Sequence, residues 1–305
     1  MGKLALVISG GACKGAFAVG VLDYIFNNID IEFDIICGTS TGALMIPSII
    51  SGNIPHLDEV YSNVNTKNIV KIRDAGAALE TGYVLNTDPL NQLIKKEIQD
   101  NYDDFIKNTD KFFYIATTCL QTQKVTYFGN KKISRPNEYD YYDIHSKEEL
   151  IEATRASSFQ PVFMQPVSIR RPDNVSGEIL TREYVDGGVT EYLPIQAALD
   201  AGADKIISIV HSKVGEGSEE IVMTGVFQTL MKTLGIALND VSMNDFNRAQ
   251  ERAPGKVLDA IQPKKVLAKD GLIFEPTKMR KNIEHGKEIA KTWFDKHLDD
   301  LELPA

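Results

Sequence analysis

The chain contains few of the residues that form disulfides, metal sites and catalytic histidine networks. Among its 305 residues there are 3 cysteines, 5 histidines and 1 tryptophan. The cysteines are too few and too widely spaced for a disulfide framework or a set of metal ligands. We therefore interpret them as small, buried side chains of a protein from a reducing compartment: Cys13, Cys37 and Cys119.

Long apolar stretches are also missing. No uninterrupted apolar run approaches the ~20 residues that a membrane-spanning helix requires. The run at residues 4–8 is too short for the apolar part of a signal peptide, and glycines follow where a cleavage site would lie. We expect a cytoplasmic protein without a signal peptide or a transmembrane helix, whose contact with membranes is at most peripheral.

Positive charge is in deficit. The chain has 33 Lys and Arg residues against 42 Asp and Glu residues, which gives a formal net charge of −9. This balance argues against a general affinity for nucleic acids or anionic lipids. It leaves room for docking to a membrane through apolar side chains. The stretches 44–50 and 221–238 are candidates for such a surface or for an acyl channel, although both also fit an ordinary core.

The sequence does contain an alternation of apolar runs, glycine-bearing turns and helical periods. Residues 3–8 and 33–37 are typical of buried parallel strands, and each is followed by a glycine turn and then by a helical pattern, at 16–26 and 43–50. Residues 54–110 are predicted to form helices and loops whose bounds the pattern does not define. We predict further strands at 111–120, 124–129, 182–185, 205–210 and 272–276, and further helices at 147–157, 194–201, 223–249 and 277–297.

This order of elements predicts an α/β fold. We expect three layers, with a central, mainly parallel sheet flanked by helices, related to the α/β-hydrolases. A single domain should span residues 1–305, with a core over about 1–212 and a helical C-terminal extension over about 213–305. The segment 213–220 is the best candidate for a seam between the two parts.

The pentapeptide at residues 38–42, Gly-Thr-Ser-Thr-Gly, has the G-x-S-x-G pattern of a nucleophile elbow. A predicted strand precedes it and a predicted helix follows it. Gly38 and Gly42 permit the tight bend that exposes the serine hydroxyl. Ser40 is therefore the candidate nucleophile. Because a serine hydroxyl is a weak nucleophile at neutral pH, it requires a neighbouring base.

A second turn, SGGACKG at residues 9–15, follows the first predicted strand. It is not a dinucleotide fingerprint, because Ala12 stands where that motif requires glycine. It is not a P-loop either, because no Lys-Ser or Lys-Thr pair follows its last glycine, Gly15. The backbone N–H groups of this turn, at the start of a helix and with a lysine nearby, suit a developing oxyanion equally well, although such a turn can also simply close the packing of strand on helix.

A third turn holds the carboxylate of Asp186, followed by Gly187 and Gly188. In open α/β sheets ligands bind beyond the carboxyl ends of the strands, so the three turns are expected to converge there. Two glycines beside Asp186 allow it to approach another loop closely. Asp186 is thus a candidate partner of Ser40.

His211 offers a second candidate base. It follows the predicted strand 205–210 and could lie at the same edge of the sheet. The chain order Ser40, Asp186, His211 is that of α/β-hydrolase triads, so a triad stays open beside a direct role of Asp186. The remaining histidines lie in polar segments and are predicted at the surface: His56, His145, His285 and His297.

These blocks, in this order, resemble those of the patatin-like phospholipase family. The glycine-rich segment contains Lys14 where the family has a basic residue before the last glycine, and Ala12 departs from a third glycine that many members have. The likeness spans about residues 4–212, with a weaker likeness at 272–294. The shared blocks are the glycine-rich segment, the serine elbow, an Ala-Ser-rich stretch ending in proline, and Asp-Gly-Gly, at 10–15, 38–42, 156–161 and 186–188.

The resemblance implies a lipid acyl hydrolase of the phospholipase A or lysophospholipase type. In such an enzyme Asp186 accepts the proton of Ser40 directly, and no histidine, metal or cofactor is needed. The oxyanion would be bound by backbone N–H groups of Gly10, Gly11 and Ala12. Supporting roles would fall to Lys14, Gly15, Gly38, Gly42, Gly187 and Gly188.

The implied partner is a membrane phospholipid or lysophospholipid, contacted peripherally, and no nucleic acid is expected. The sequence is compatible with a protein activator and with a homo-oligomer. One alternative is a thioesterase or small-ester esterase with a triad of Ser40, Asp186 and His211. Another is a non-catalytic lipid-binding module, against which the presence of both Ser40 and Asp186 counts.

Overall fold

The computed structural model describes residues 2–135, 138–174, 176–212 and 226–301. In this part of the chain the strands form one large sheet and a small separate hairpin. The strands are β1 (Leu4–Ile8), β2 (Ile35–Thr39), β3 (Lys71–Ile72), β4 (Leu85–Asn86), β5 (Phe112–Cys119), β6 (Val125–Gly129), β7 (Tyr139–Asp143), β8 (Val167–Pro172), β9 (Ile179–Asp186) and β10 (Lys205–Ile209). The α-helices are α1 (Ala16–Asn28), α2 (Thr41–Ser51), α3 (Ile54–Asn63), α4 (Thr66–Ile69), α5 (Ala75–Thr81), α6 (Asp88–Asn101), α7 (Lys147–Ser158), α8 (Ile195–Asp200), α9 (Val226–Arg252) and α10 (Pro276–His297).

The centre of the sheet forms from the most apolar runs. Every residue of β1 is buried, and β1 pairs in parallel with β2 on one side and with β10 on the other. Because side chains alternate between the two faces of a strand, Leu6 and Ile8 join one hydrophobic core while Ala5 and Val7 join another. Burying one Leu or Ile side chain fully stabilises the fold by about 1.5–3 kcal/mol.

The sheet becomes antiparallel towards one edge. β5 pairs in parallel with β2, and a short polar turn returns the chain as β6, antiparallel to β5. β9 pairs antiparallel with the end of β5 and with β8, so that Asp186 lies opposite Thr117. The main path of the sheet has the order β10-β1-β2-β5-β6-β7. The predicted α/β fold with a mainly parallel central sheet flanked by helices is confirmed.

Helix α10 packs along α1 at a point of close backbone approach. A Cβ atom on Gly20 would lie 1.9 Å from the carbonyl oxygen of Ile283. A Cβ atom on Gly286 would lie 2.1 Å from the carbonyl oxygen of Phe17. Since no side chain fits at either position, glycine lets the two backbones touch. The last helix is thereby tied to the first helix of the chain.

The predicted strand at 272–276 is wrong. The chain forms a loop there before α10 begins, and the carbonyl of the preceding Gly271 accepts a hydrogen bond from Cys13 N–H at 3.0 Å. This loop therefore bonds to the turn after β1 and not to a strand. The sheet is extended elsewhere, because Val257 and Ile261 form isolated parallel bridges with β10.

The prediction of surface histidines is partly wrong. His145 is exposed and His56 is half-buried, but His285 and His297 are buried, with 8% and 9% of their surface exposed. Both lie on the inner face of α10, where the ring centroid of His285 is 5.8 Å from that of Phe17. The polar neighbours of these histidines in sequence occupy the outer face of the helix, which explains the error.

The cysteines are buried, and one of the two apolar stretches lies in a helix of the core. All three cysteines are buried as predicted, and burial raises the pKa of the Cys13 thiol to about 11 and raises that of Cys37 as well. Residues 44–50 lie in α2 and are almost all buried. Part of 221–238 and the predicted seam at 213–220 lie outside the described residues. In the described ranges, no helix has the length and apolar character needed to span a membrane.

Candidate active site

The carboxyl ends of β1, β2 and β10 meet at one edge of the sheet. Ile8, the last residue of β1, pairs with Gly38 of β2 and with Ile209 of β10. The loops that follow these strands therefore leave the sheet side by side. β9 brings Asp186 to the same edge, because it pairs with the end of β5. The predicted convergence of the three turns is thus formed.

Ser40 lies on a strained turn between β2 and α2. Its backbone has φ 55° and ψ −119°, a region that costs a non-glycine residue about 1–3 kcal/mol and is typical of a nucleophile elbow. A Cβ atom on Gly38 would lie 2.5 Å from the carbonyl carbon of Gly42, and one on Gly42 would lie 2.3 Å from the carbonyl oxygen of Ile8. The turn closes only because both positions are glycine.

The hydroxyl of Ser40 lies close enough to the carboxylate of Asp186 to lower its pKa as a hydrogen-bond donor. The N–H of Gly188 donates to Oδ1 of the same carboxylate at 2.8 Å. Asp186 is only 5% exposed, and this burial raises its pKa to about 6, although the two hydrogen bonds act in the opposite direction. Such a carboxylate is a stronger base than a solvated one and is still ionised at neutral pH.

The backbone around Asp186 is held on both sides. Its N–H donates to the carbonyl of Phe159 at 3.0 Å, and its carbonyl accepts a hydrogen bond from Thr118 Oγ1 at 3.1 Å. A Cβ atom on Gly187 would lie 2.3 Å from the carbonyl oxygen of Ala116, so only glycine fits next to the aspartate. The carboxylate is thus positioned by β5, β9 and the loop after α7.

Ser157, in the Ala-Ser-rich block, supports the serine turn. The N–H of Ser40 donates to Ser157 Oγ at 2.8 Å, and Ser157 Oγ donates to the carbonyl of Ala116 at 2.7 Å. The buried hydroxyl therefore links the nucleophile turn to β5. Sequence reasoning matched this block but assigned Ser157 no role. The available signal was a hydroxyl near the end of a helix that packs against the sheet.

Residues 9–15, which we call the glycine loop, run beside the nucleophile. The Cβ of Ser40 is 3.3 Å from the point that a Cβ on Gly10 would occupy. Within the described residues the N–H groups of Gly11 and Ala12 have no hydrogen-bond partner. Ala12 has φ 48°, a left-handed conformation that costs a residue with a side chain about 1–2 kcal/mol. Two donors without a partner in the described residues therefore follow Gly10, the loop residue that lies against Ser40.

Gly10 differs from the expectation for this loop. Its N–H donates to the carbonyl of Tyr192 at 3.2 Å. This donor is therefore already paired with a carbonyl, and its role in binding an oxyanion stays a prediction. Gly10 instead anchors the loop to the segment that follows the Asp-Gly-Gly turn. The N–H of Cys13 anchors the other end of the loop through its bond to the Gly271 carbonyl.

Lys14 and Gly15 connect the glycine loop to its neighbours. Lys14 Nζ lies 3.5 Å from Ser212 Oγ, just beyond β10. A Cβ atom on Gly15 would lie 2.5 Å from Oγ1 of Thr41, the residue after the nucleophile. Thr41 Oγ1 is itself 2.7 Å from the hydroxyl of Tyr61. The two predicted supporting residues therefore lie against β10 and α2.

His211 lies beneath the glycine loop. Its Nδ1 is 2.8 Å from the carbonyl oxygen of Gly10 and 3.1 Å from Ser9 Oγ. Because a carbonyl only accepts hydrogen bonds, the network assigns the proton to Nδ1, and Nε2 has no partner among the described residues. Burial lowers the pKa of His211 to about 4, so the ring is neutral at physiological pH. In the described part of the chain no hydrogen bond joins it to Ser40 or Asp186, as a triad would require.

Two buried acids and a tyrosine near the site were missed by sequence reasoning. Cε2 of Tyr192 is 2.8 Å from the point that a Cβ on Gly10 would occupy, and the N–H of Tyr192 donates to Asp245 Oδ2 at 2.9 Å. Glu191 accepts a hydrogen bond from the hydroxyl of Tyr127. Burial raises the pKa of Asp245 to about 6 and also raises that of Glu191. Polar residues directly after Asp-Gly-Gly were the only available signal.

The edge of the sheet thus combines three chemical functions. A hydroxyl lies beside a buried carboxylate, and the glycine loop that runs next to the hydroxyl carries two backbone N–H groups without a partner in the described residues. A nucleophile, a base and an oxyanion site are the components of acyl transfer through a covalent intermediate. In the described ranges no group of three or more His, Cys, Asp or Glu side chains is arranged to hold a metal ion.

Comparison with known proteins gives a relative of unknown role. The uncharacterized protein YjjU of Escherichia coli strain K12 is 27% identical over 210 residues, which cover 68% of this chain and 52% of YjjU. The chain therefore spans about half the length of that relative. The type III effector protein ExoU aligns with a TM-score of 0.44 and 10% identity over 99% of this chain and 54% of ExoU, a likeness too low to bear on the fold.

A solved structure and a family model give two further matches. VipD from Legionella pneumophila aligns with a TM-score of 0.51 and 11% identity over 97% of this chain and 67% of VipD, which shows a shared fold. Residues 6–199, more than half of the chain, match the family model described as patatin-like phospholipase. The chain belongs to the patatin-like phospholipase family.

Proposed function

We propose that this chain hydrolyses the acyl esters of lipids, as a phospholipase A or a lysophospholipase does, through a dyad of Ser40 and Asp186. The observation that carries the proposal is that the Ser40 hydroxyl lies beside a buried carboxylate, whose pKa burial raises to about 6. Membership of the patatin-like phospholipase family supports a hydrolase of lipid esters. The proposal uses no histidine as a base.

In the first half-reaction Ser40 Oγ attacks the carbonyl carbon of the ester while Asp186 accepts the hydroxyl proton. The carbonyl oxygen becomes an oxyanion, and the N–H groups of Gly11 and Ala12 donate hydrogen bonds to it. When the tetrahedral intermediate collapses, the bond to the alcohol oxygen of the lyso-lipid breaks, and Asp186 returns its proton to that oxygen. The acyl group then remains as an ester on Ser40.

In the second half-reaction a water molecule takes the place of the alcohol. Asp186 accepts a proton from the water, whose oxygen attacks the acyl carbon on Ser40. The new tetrahedral intermediate expels Ser40 Oγ, which takes the proton back from Asp186, and the fatty acid leaves. A pKa near the working pH suits a group that both accepts and returns a proton.

The surroundings of Asp186 support an apolar substrate. Val162 is 58% exposed and lies in the loop whose Phe159 carbonyl accepts the Asp186 N–H. Val189, three residues beyond Asp186, is also exposed. Val162 and Val189 thus expose apolar surface on the two chain segments beside the carboxylate. Such surface favours contact with the acyl chains of a lipid.

The alternatives make different demands on the same residues. A thioesterase or small-ester esterase with a Ser40, Asp186 and His211 triad needs His211 Nε2 or Nδ1 to contact the serine, whereas His211 Nδ1 contacts Gly10. A non-catalytic lipid-binding module has no need of a serine that is hydrogen-bonded to a buried base. We therefore favour the dyad over both alternatives.

A fluorophosphonate probe tests the proposal. We expect the probe to label wild type on Ser40, as located by peptide mass spectrometry, and wild type to release fatty acid from phospholipid or lysophospholipid vesicles faster than it cleaves a soluble thioester. Ser40→Ala should not be labelled. Ser51→Ala, at the far end of α2, is the control and should react like wild type. A folded wild type that is neither labelled nor active would favour the lipid-binding module.

The dependence of activity on pH should report the pKa of Asp186. The base acts as a carboxylate, and its raised pKa means that activity is lost as the pH falls through about 6. We expect kcat/KM on a soluble ester to be constant above about pH 7 and to fall about tenfold per pH unit below about pH 6. A profile that stays flat down to about pH 5, in a protein shown by circular dichroism to stay folded, would contradict this assignment.

A further inference from the structure

His211 is a buried imidazole at the site that the proposed dyad does not use. It is 1% exposed, and its backbone N–H donates to Ser9 Oγ at 3.3 Å. Its Nδ1 donates to the carbonyl of Gly10 at 2.8 Å. A Cβ atom on Gly11 would lie 2.6 Å from Nδ1 and 2.8 Å from the Cβ of His211. The ring therefore fills the space that the missing side chain of Gly11 leaves.

The bond to the Gly10 carbonyl determines the direction of the next N–H group. The carbonyl of Gly10 and the N–H of Gly11 belong to one planar peptide unit, and in a trans peptide they point in opposite directions. Since the carbonyl points at His211 and Ser9, the N–H of Gly11 points away from them. This N–H is one of the two unpaired donors of the glycine loop.

Two consecutive glycines make this peptide unit easy to turn over. Glycine populates positive and negative φ almost equally, so the unit between Gly10 and Gly11 has little intrinsic preference for one orientation. After a flip, a carbonyl oxygen would face the place where an oxyanion requires a donor. The hydrogen bond from His211 opposes the flip, because turning the unit over would break the bonds that His211 Nδ1–H and Ser9 Oγ–H donate to the Gly10 carbonyl.

We infer that His211 is a positioning residue, whose Nδ1–H holds the peptide between Gly10 and Gly11 so that the Gly11 N–H stays directed at the oxyanion. This role rests on the proposed function and acts within it. It differs from the role of a triad histidine, because Nδ1 stays protonated throughout the reaction and Nε2 transfers no proton. The ring acts on the substrate only through the backbone of the loop.

Two substitutions of similar shape distinguish the contribution of the Nδ1–H donor from that of the volume of the ring. In His211→Asn the amide nitrogen can take the place of Nδ1 and donate to the Gly10 carbonyl, whereas His211→Leu has no donor. With 4-nitrophenyl butyrate we expect His211→Asn to keep kcat within about threefold of wild type. His211→Leu should lower kcat about 10- to 100-fold with KM within about threefold, since the donor it misorients is used in the transition state.

The outcomes distinguish this inference from the proposed function. A wild type that neither cleaves the ester nor reacts with a fluorophosphonate overturns the proposed function itself. An active wild type with equal kcat in the two variants overturns only the role of His211. Complete loss of turnover in both variants also overturns it, because it would mark His211 as a base.

The protonation state of His211 in the wild-type protein tests the same role independently of the kinetics. In protein labelled with ¹⁵N-histidine, NMR reports which ring nitrogen carries the proton. We expect the His211 ring to be neutral and protonated at Nδ1 over about pH 6 to 8, since its pKa is lowered by burial. A ring protonated at Nε2, or at both nitrogens, overturns the inference. The signal is assigned by its absence in His211→Asn.

Discussion

Asp186→Asn is expected to lower kcat about 10⁴-fold and to change KM by less than about threefold. Asparagine keeps the size of the side chain, and its amide oxygen can still accept the N–H of Gly188. It cannot accept a proton, and its amide nitrogen would donate to Ser40 Oγ, which reverses the hydrogen bond that activates the serine. The loss falls on kcat because proton transfer occurs only in the transition state.

Asp204→Asn is the matched control for this substitution. Asp204 lies just before β10, at the opposite edge of the sheet, where it accepts the N–H of Lys3 at 3.0 Å. The kcat of Asp204→Asn should equal that of wild type. Ser40→Ala should be as inactive as Asp186→Asn, and the double variant no worse, because the two residues act as a unit. More than about a tenth of the wild-type kcat in Asp186→Asn would contradict the dyad.

The same Asp186→Asn substitution is expected to stabilise the folded protein. Burial raises the pKa of Asp186 from 3.8 to about 6, so the folded state binds this proton more tightly than the unfolded state does. Stability contributed by the group is therefore present below about pH 4 and is lost as the pH rises through about 6. A difference of about two pKa units corresponds to about 3 kcal/mol of unfolding free energy at neutral pH. Asparagine avoids this loss because it does not ionise.

Urea denaturation of both proteins at several pH values checks the sign. The advantage of Asp186→Asn should be largest above about pH 6.5 and should shrink towards pH 4. Asp204 has a pKa lowered by its bond to Lys3 N–H, so Asp204→Asn should show no such gain at neutral pH. Contributions from Glu191 and Asp245 are common to both proteins and cancel in the difference. A difference that is independent of pH would show that Asp186 is not buried as an ionisable group.

Much of the central sheet could be predicted from local pattern. The strands at β1, β2, β5, β6 and β10 are short apolar runs that end at turn residues, and a central strand such as β1 is buried in a hydrophobic core on both of its faces. The predicted helices at 16–26, 147–157 and 277–297 match α1, α7 and α10 to within a few residues. These elements are confirmed because periodicity and burial agree over their whole length.

The outer elements were harder to predict for physical reasons. β9 begins three residues earlier than predicted, because its first half is exposed and is held by pairing with β8 and not by burial. The loop at 272–276 is apolar enough to suggest a strand, but the preceding Gly271 bonds to Cys13. The neighbouring strand β8 decided the first case, and the bond between Cys13 and Gly271, which are far apart in sequence, decided the second.

The amino-acid sequence by itself determined which residues carry the proposed chemistry. Gly38, Ser40 and Gly42 specify a strained serine turn, and Asp186 follows a strand that ends at the same edge of the sheet. Each of these patterns is local, because it can be recognised from one strand and the turn that follows it.

Only the tertiary structure decided how those residues are paired. It directs the Gly10 N–H to the Tyr192 carbonyl, while the N–H groups of Gly11 and Ala12 have no partner in the described ranges. It also places His211, 201 residues along the chain, under the Gly10 carbonyl and away from the base. The physical reason is that each backbone N–H, carbonyl and buried carboxyl takes its partner and its pKa from whatever the fold packs against it, which no local pattern contains.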